Sequence, residues 1–464
     1  MKQSLRQLLS RPRLGALAAS LLMAGCSMVP TYERPPAPIG ADWPTPSAGA
    51  GAAAADLPWQ RFFADPGLRA LIETALDNNR DLRVAVLTIE QARALYDIRN
   101  ADRLPTIGAA VSGSRVPVAG NTVTSYQVGL ALTSWEIDFF GRIASLSEAA
   151  LAQYLASEEG RKAAQISLVA AVANTWLALI ADDELLAITE QTLASRQESL
   201  RLSRLRFDAG VTSELDFRLA QSLAETARAT LALIQRQRAL DRNALSLLLG
   251  QPLPSGFGVS SGTESIALPE VPAGTPSDVL VQRPDVRQAE QQLVAANANI
   301  GAARAAFFPR ISLTAGVGTA STELSGLFAS GNWALSVAPQ LLQPIFDAGR
   351  NRANLRSATV SREVALAQYE RAIQAAFREV ADSLAARATL ADQLQAQRNV
   401  SEAEAARLRL AQLRYDAGVA SYLDLLDAQR SLFTARQALV QTRLAQLQNR
   451  VQLYKALGGG WTGP

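Results

Sequence analysis

Apolar residues recur every three or four positions from residue 81 to about 102, and again from about 284 to 306. That spacing lays one apolar stripe along a helix, and Pro105 and Pro309 close the two segments. The period then shortens to two. Ile107, Ala109 and Val111 alternate with Thr106, Gly108, Ala110 and Ser112, and Tyr126, Val128, Leu130 and Leu132 with Gln127, Gly129, Ala131 and Thr133. Later, Ile311, Leu313, Ala315 and Val317 alternate with Ser312, Thr314, Gly316 and Gly318, and Trp333, Leu335 and Val337 with Ala334, Ser336 and Ala338. Each predicted strand thus carries larger apolar side chains on one face and small or polar ones on the other. After Gly141-Arg142 and Gly349-Arg350 the helical period returns for about sixty-five residues, as at Ile373, Phe377, Val380 and Leu384. At 1.5 Å per residue such a helix is ~100 Å long. Neither is expected to hold an uncharged apolar run of bilayer length, and their many alanines and leucines suit helix-on-helix packing.

The chain repeats itself. Leu205-Arg206-Phe207-Asp208-Ala209-Gly210-Val211-Thr212-Ser213-Glu214-Leu215-Asp216 returns as Leu413-Arg414-Tyr415-Asp416-Ala417-Gly418-Val419-Ala420-Ser421-Tyr422-Leu423-Asp424, at an offset of 208. The same offset relates Gly141-Arg142 to Gly349-Arg350 and Leu249-Gly250 to Leu457-Gly458, and one of 204 relates Leu104-Pro105 to Phe308-Pro309. Two copies of so long a period mean a duplicated architecture of class α+β, each half running helix, β-hairpin, long helix, helix. The predicted first repeat is 61–250 with its hairpin at 105–138, the second 277–464 with its hairpin at 309–346, and 251–276 is the linker. Helices 81–102 and 213–248 together hold 58 residues, and 284–306 with 421–457 hold 60, so each pair stacked end to end nearly matches one long helix. Strap, linker and C-terminal end are then expected to gather at the joints as an equatorial belt.

Strands of about ten residues can cross a tilted path through a bilayer, which takes ~9–11. A soluble hairpin on a core is the simpler reading of the alternation by itself. If the strands do lie in lipid, four cannot close a barrel, and several chains must share one.

The N-terminus adds a destination. Lys2, Arg6, Arg11 and Arg13 precede an apolar stretch at 14–23, and Met23-Ala24-Gly25-Cys26 reads as a lipobox. On that reading residues 1–25 are a lipoprotein signal peptide, Cys26 is the acylated first residue, and Ser27, by the usual lipoprotein sorting pattern, implies the outer membrane; an ordinary signal peptide with a leftover thiol is the alternative. The proline-rich stretch beyond, within 26–60, is an extended, lipid-anchored strap. Removing the signal leaves 41 basic against 42 acidic residues, so the +3 formal charge belongs mostly to targeting and no basic stripe suggests nucleic acid. Among the 464 residues there is no histidine and one cysteine. That excludes Ser-His-Asp and Cys-His nucleophile pairs, an imidazole base, the usual zinc sites and an intrachain disulfide, so neither an enzyme nor a metal or cofactor is expected.

With these residues in view the chain resembles the TolC-like outer membrane factors, most closely the OprM-like lipoproteins of tripartite efflux pumps. The resemblance spans the mature chain. It rests on the lipobox followed by Pro30-Thr31-Tyr32-Glu33-Arg34-Pro35, both Asp-Ala-Gly-Val turns, the run Tyr422-Leu423-Asp424-Leu425-Leu426-Asp427-Ala428-Gln429-Arg430-Ser431-Leu432, and Leu453-Tyr454-Lys455-Ala456-Leu457-Gly458-Gly459-Gly460-Trp461. It implies a homotrimer in the outer membrane, with a 12-stranded transmembrane barrel continuous with a 12-helix periplasmic barrel. It also implies docking to a periplasmic membrane-fusion adaptor and an inner-membrane transporter of the RND type, as a passive exit duct for drugs. A duct for secreted polypeptide or metal ions, and a non-conducting coiled-coil lipoprotein, are the alternatives.

At the turns, Gly210 and Gly418 suit a left-handed position ending the long helices, and Ser213 and Ser421 cap the returning helices with Asp216 and Asp424 three residues on. A pore role for those two aspartates is the competing reading. The tips Gly210-Val211-Thr212-Ser213 and Gly418-Val419-Ala420-Ser421 are, by resemblance, the adaptor contacts. Across the duplication Phe207 becomes Tyr415, Leu219 becomes Asp427 and Ser222 becomes Arg430, while Leu215 keeps a leucine at Leu423. Asp427 and Arg430 share a helix face. Tyr415, Leu423, Asp427 and Arg430 match the family's periplasmic constriction, which assigns them to a gate.

Overall fold

The computed structural model describes residues 27–45, 54–118, 121–254, 262–274, 276 and 282–461. Cys26, segment 1–25, and parts of the strap and linker lie outside the described residues. The helices, in order, are α1 (Trp59–Phe62), α2 (Pro66–Asn78), α3 (Arg80–Ala101), α4 (Arg142–Asp208), α5 (Glu214–Leu249), α6 (Pro284–Ala305), α7 (Arg350–Asp416) and α8 (Tyr422–Ala456). Strands β1 (Ile107–Val118) and β2 (Asn121–Ile137) precede α4, and β3 (Arg310–Ser321) and β4 (Trp333–Leu342) precede α7. Both long helices have 67 residues. The duplicated helical and β fold is therefore the one the periodicities describe. Contacts divide the chain into two units, each drawing on both sequence halves.

The first unit comprises Thr88–Glu158, Gln288–Glu370 and the strap to Pro36. Its sheet is antiparallel in the order β1-β2-β3-β4. The register sets Ile107 beside Leu132, Ala315 and Val337, and Ala109 beside Leu130, Val317 and Leu335. One face is therefore a continuous apolar surface, with Val111, Leu335 and Val337 exposed. The opposite face aligns Gly108, Ala131, Gly316 and Ser336, then Ala110, Gly129, Gly318 and Ala334. Gly129 and Gly318 face each other so closely that a Cβ on either would lie 2.2 Å from a carbonyl oxygen of the other strand. β2 carries an irregularity between Leu132 and Trp135, where Ser134 takes φ of +49°. In the strap, Arg34 makes a two-pronged ion pair with Glu290 of α6 at 2.6 and 2.9 Å, and Tyr32 donates to the same carboxylate at 3.2 Å. Burial, followed by the Glu290 charge, raises the Tyr32 hydroxyl's pKa. This gives the Tyr-Glu-Arg-Pro motif a structural reason, which is to fasten the strap to α6.

The second unit comprises Ala37–Leu87, Glu159–Arg287 and Arg371–Pro464. Its core draws Trp59, Phe62 and Phe63 onto Val172, Trp176 and Ile180 of α4, with Leu268 and Val271 of the linker and Leu453 and Tyr454 of α8. Phe62 stacks on Tyr454 at 4.0 Å, and the Tyr454 hydroxyl donates to the Leu57 carbonyl at 2.5 Å. Trp43 stacks on Phe377 at 5.0 Å and donates to the Gly274 carbonyl at 2.9 Å. Both helix joints are sealed by a side chain. Asn79 donates to the Leu248 carbonyl at the end of α5 (2.9 Å) while accepting from the Leu82 N–H at the start of α3. Arg283, at the matching place before α6, donates to the Ala456 carbonyl at 2.8 Å and pairs with Asp285 and Glu379.

One expectation fails here. Between Lys162 and Asp182 α4 carries no charge, so it does hold a stretch long and apolar enough to cross a membrane. The reason is packing within this unit: Val169, Val172, Ala173, Trp176, Leu177 and Ile180 are buried against the elements just described. A helix covered on most sides by protein loses the polar face that an amphipathic rod keeps.

Candidate functional site

Both long helices end in the same backbone device. Gly210 and Gly418 take φ of +70° and +71°. The Gly210 N–H donates to Phe207 (2.9 Å) and that of Val211 to Arg206 (2.8 Å), while Gly418 donates to Tyr415 (2.9 Å) and Val419 to Arg414 (3.0 Å). This paired closure satisfies two helix-end carbonyls and needs a left-handed residue, which glycine supplies without a Cβ penalty.

The returning helices differ in their caps. Ser421 accepts from the Asp424 N–H while Asp424 accepts from the Ser421 N–H, a full capping box. Ser213 also accepts from the Asp216 N–H, but the Asp216 carboxylate takes the hydroxyls of Ser213 (2.8 Å) and Thr212 (3.1 Å) instead. Thr212 is Ala420 in the second half, so the competing donor is missing there. Beyond the caps, Val211, Leu215, Val419 and Leu423 are 75%, 78%, 65% and 56% exposed. Their own chain leaves these four apolar side chains largely uncovered.

The second tip is tied both to itself and to the first. Tyr415 lies 5.4 Å from Tyr422, with the Arg206 guanidinium from the end of α4 over its ring at 5.4 Å. Tyr422 donates to the Ser199 carbonyl of α4 at 3.1 Å, and burial raises its hydroxyl's pKa. In the first tip Phe207 simply stacks on Phe217 at 5.5 Å.

Asp427 and Arg430 meet on α8, and the cluster is larger than their spacing suggests. The Asp427 carboxylate also accepts from Arg407 of α7, which in turn reaches Glu404 at 3.2 Å and Ser431 at 3.3 Å. The Arg407 hydrogen bond is the leading reason that the Asp427 carboxyl is held below the ordinary aspartate range, so it is ionised at neutral pH. Arg407 and Glu404 escape a reading based on i, i+3 spacing. Their signal lies in the turn itself: in an antiparallel helix pair, residues equally far from the turn meet, and Arg407 and Asp427 are equidistant from Ala417. The first pair has Ser199, Leu219 and Ser222 at the matching places, with no charge to form such a clamp. Among the described residues no cluster of three or more metal-ligating side chains occurs. The site's parts are thus an exposed apolar tip and an ionic clamp across one helix pair.

The sequence profile of the family described as outer membrane efflux protein matches residues 71–251 and 275–459. The chain is 50% identical over 458 residues to the solvent efflux pump outer membrane protein SrpC of Pseudomonas putida, covering 96% of this chain and 97% of that one. It is 47% identical over 460 residues to outer membrane protein OprJ of Pseudomonas aeruginosa, covering 96% and 95%. Among solved structures, the open state of the MtrE outer membrane channel of Neisseria gonorrhoeae superposes with a TM-score of 0.87 at 42% identity, covering 94% of this chain and 99% of that one.

Proposed function

This chain belongs to the outer membrane efflux protein family, and we infer from that membership that it is the outer-membrane exit duct of a tripartite efflux pump. It works with a periplasmic adaptor and an inner-membrane transporter, and as a duct it performs no chemistry of its own. The observation that carries the finer reading is the four-stranded sheet, whose apolar face is exposed and whose edges, β1 and β4, have no partner strand among the described residues. In lipid an open edge leaves backbone groups unsatisfied at several kcal/mol each, so the sheet must close. Three copies supply twelve strands, and their two long helices and two stacked pairs supply twelve helical columns. We therefore propose a homotrimer, with repeats 61–250 and 277–464 as its duplicated halves, 251–276 as its belt linker, and Cys26 as its lipid anchor.

The tip residues take matching roles. Gly210-Val211-Thr212-Ser213 and Gly418-Val419-Ala420-Ser421 form the adaptor contact, which their exposed apolar side chains support. Threefold repetition turns the clamp of Arg407, Asp427 and Arg430 into a ring that holds the resting duct shut and favours cations once open, with Leu423 as an apolar plug and Tyr415 bracing the neighbouring tip. The cargo is small toxic molecules such as drugs and solvents, driven by the transporter. Purified protein in liposomes tests the duct: solute flux through trimers supports it, whereas a tight, non-conducting particle makes the chain a tether.

A further inference from the structure

We propose that the open pocket lined by α4, α7 and α8 binds a small organic carboxylate. The pocket has a volume of about 210 Å³ and combines two arginines, Arg196 and Arg436, with the apolar side chains of Leu408, Leu432 and Phe433. None of the residues lining it is acidic.

Arg196 is the anchor. Its side chain is 2% exposed, one Nη donates to the Leu223 carbonyl at 3.0 Å, the guanidinium lies 5.0 Å over the Phe433 ring, and Nε is buried without a hydrogen-bond partner. A buried charge lacking a counter-ion carries a large desolvation penalty, and a fork of guanidinium N–H groups is matched by a carboxylate. Burial alone pulls the Arg196 pKa down, the direction expected where no anion offsets desolvation. The Gln429 side-chain oxygen is buried without a donor, and a half-turn of that amide presents its NH2 to an anion instead.

The duplication shows how the positive charge came to be concentrated here. At the 208-residue offset Arg436 corresponds to Arg228, which pairs with Glu225 at 3.0 Å, but the counterpart of Glu225 is Phe433. Arg196 itself stands where the second half has Glu404. Both exchanges remove a carboxylate next to the same cavity, and one of them replaces it with an aromatic floor. The lining argues against a bare inorganic ion: an anion with an apolar body uses the Leu408, Leu432 and Phe433 walls that phosphate leaves untouched.

Calorimetric titration of the detergent-solubilised full chain with benzoate tests the site. Benzoate is expected to bind and to raise the melting temperature, Arg436→Gln to weaken it about tenfold or more, and inorganic phosphate to bind at least about tenfold more weakly than benzoate. Arg196→Met is expected to abolish binding while leaving the protein at least as heat-stable, because it removes the uncompensated charge. Three results would overturn the assignment: no benzoate heat, unchanged affinity in Arg436→Gln, or phosphate binding as tightly as benzoate.

Discussion

Asp182 of α4 is buried beside the Asp241 carboxyl of α5, with one carboxylate oxygen lacking a hydrogen-bond partner, and is adjacent to Asp183, which Arg238 neutralises at 2.5 Å. Burial first, then the Asp241 contact and charge, pushes the Asp182 carboxyl up to about 7. The folded chain therefore holds a proton that the unfolded chain releases near pH 4. Stability is highest while the group is protonated in both states, falls as pH rises from about 4 to about 7, and is level above that. Asp182→Asn keeps the neutral form at every pH. Melting curves are expected to show the variant matching the parent at pH 4 and exceeding it by on the order of 1–3 kcal/mol at pH 8. A gap independent of pH would mean that Asp182 is not the titrating group. Gly418 gives a second residue-scale test. With φ of +71° and no atom within 4 Å of an added methyl, Gly418→Ala meets only backbone strain, about 1 kcal/mol. Hydrogen exchange should show faster opening confined to the tip.

At the scale of the element, the sheet supplies a controlled comparison. Gly108 and Gly129 lie on the same face, but a Cβ meets nothing within 4 Å at Gly108 and lies 2.2 Å from the Val317 carbonyl at Gly129. Gly129→Ala is expected to cost about 3 kcal/mol or more and to prevent heat-resistant oligomers on gels, whereas Gly108→Ala leaves them intact. Equal behaviour would place the close approach elsewhere. The strands' two faces were legible because a period of two is local, and the glycine-ended long helices were legible because φ near +70° selects glycine. The joints were legible only as matching lengths. That Asn79 and Arg283 seal them depends on partners 169 and 173 residues away, a separation no local pattern reaches. The same limit hid the buried character of 163–181, where apolar density reflects a core assembled from distant segments.

Across the whole molecule, duplication explains both what repeats and what does not. Both halves retain the turn and the serine caps, while Asp427, Arg430 and Arg407 stand where the first half has Leu219, Ser222 and Ser199. Asp427 and Arg430 stood out in the sequence as broken symmetry, but Arg407 did not, because its place opposite Asp427 is fixed by the antiparallel register of α7 and α8. We propose that this ionic clamp, confined to the α7–α8 pair of each protomer, is what holds the tip gate shut. Single-channel recording in planar bilayers tests this most directly, comparing the parent protein with Asp427→Ala and with Asp427→Ala combined with Arg430→Ala. A small, mostly closed conductance is expected for the parent and a severalfold larger one in both variants, with weaker cation preference once the carboxylate is gone. Unchanged conductance and selectivity would contradict the gate.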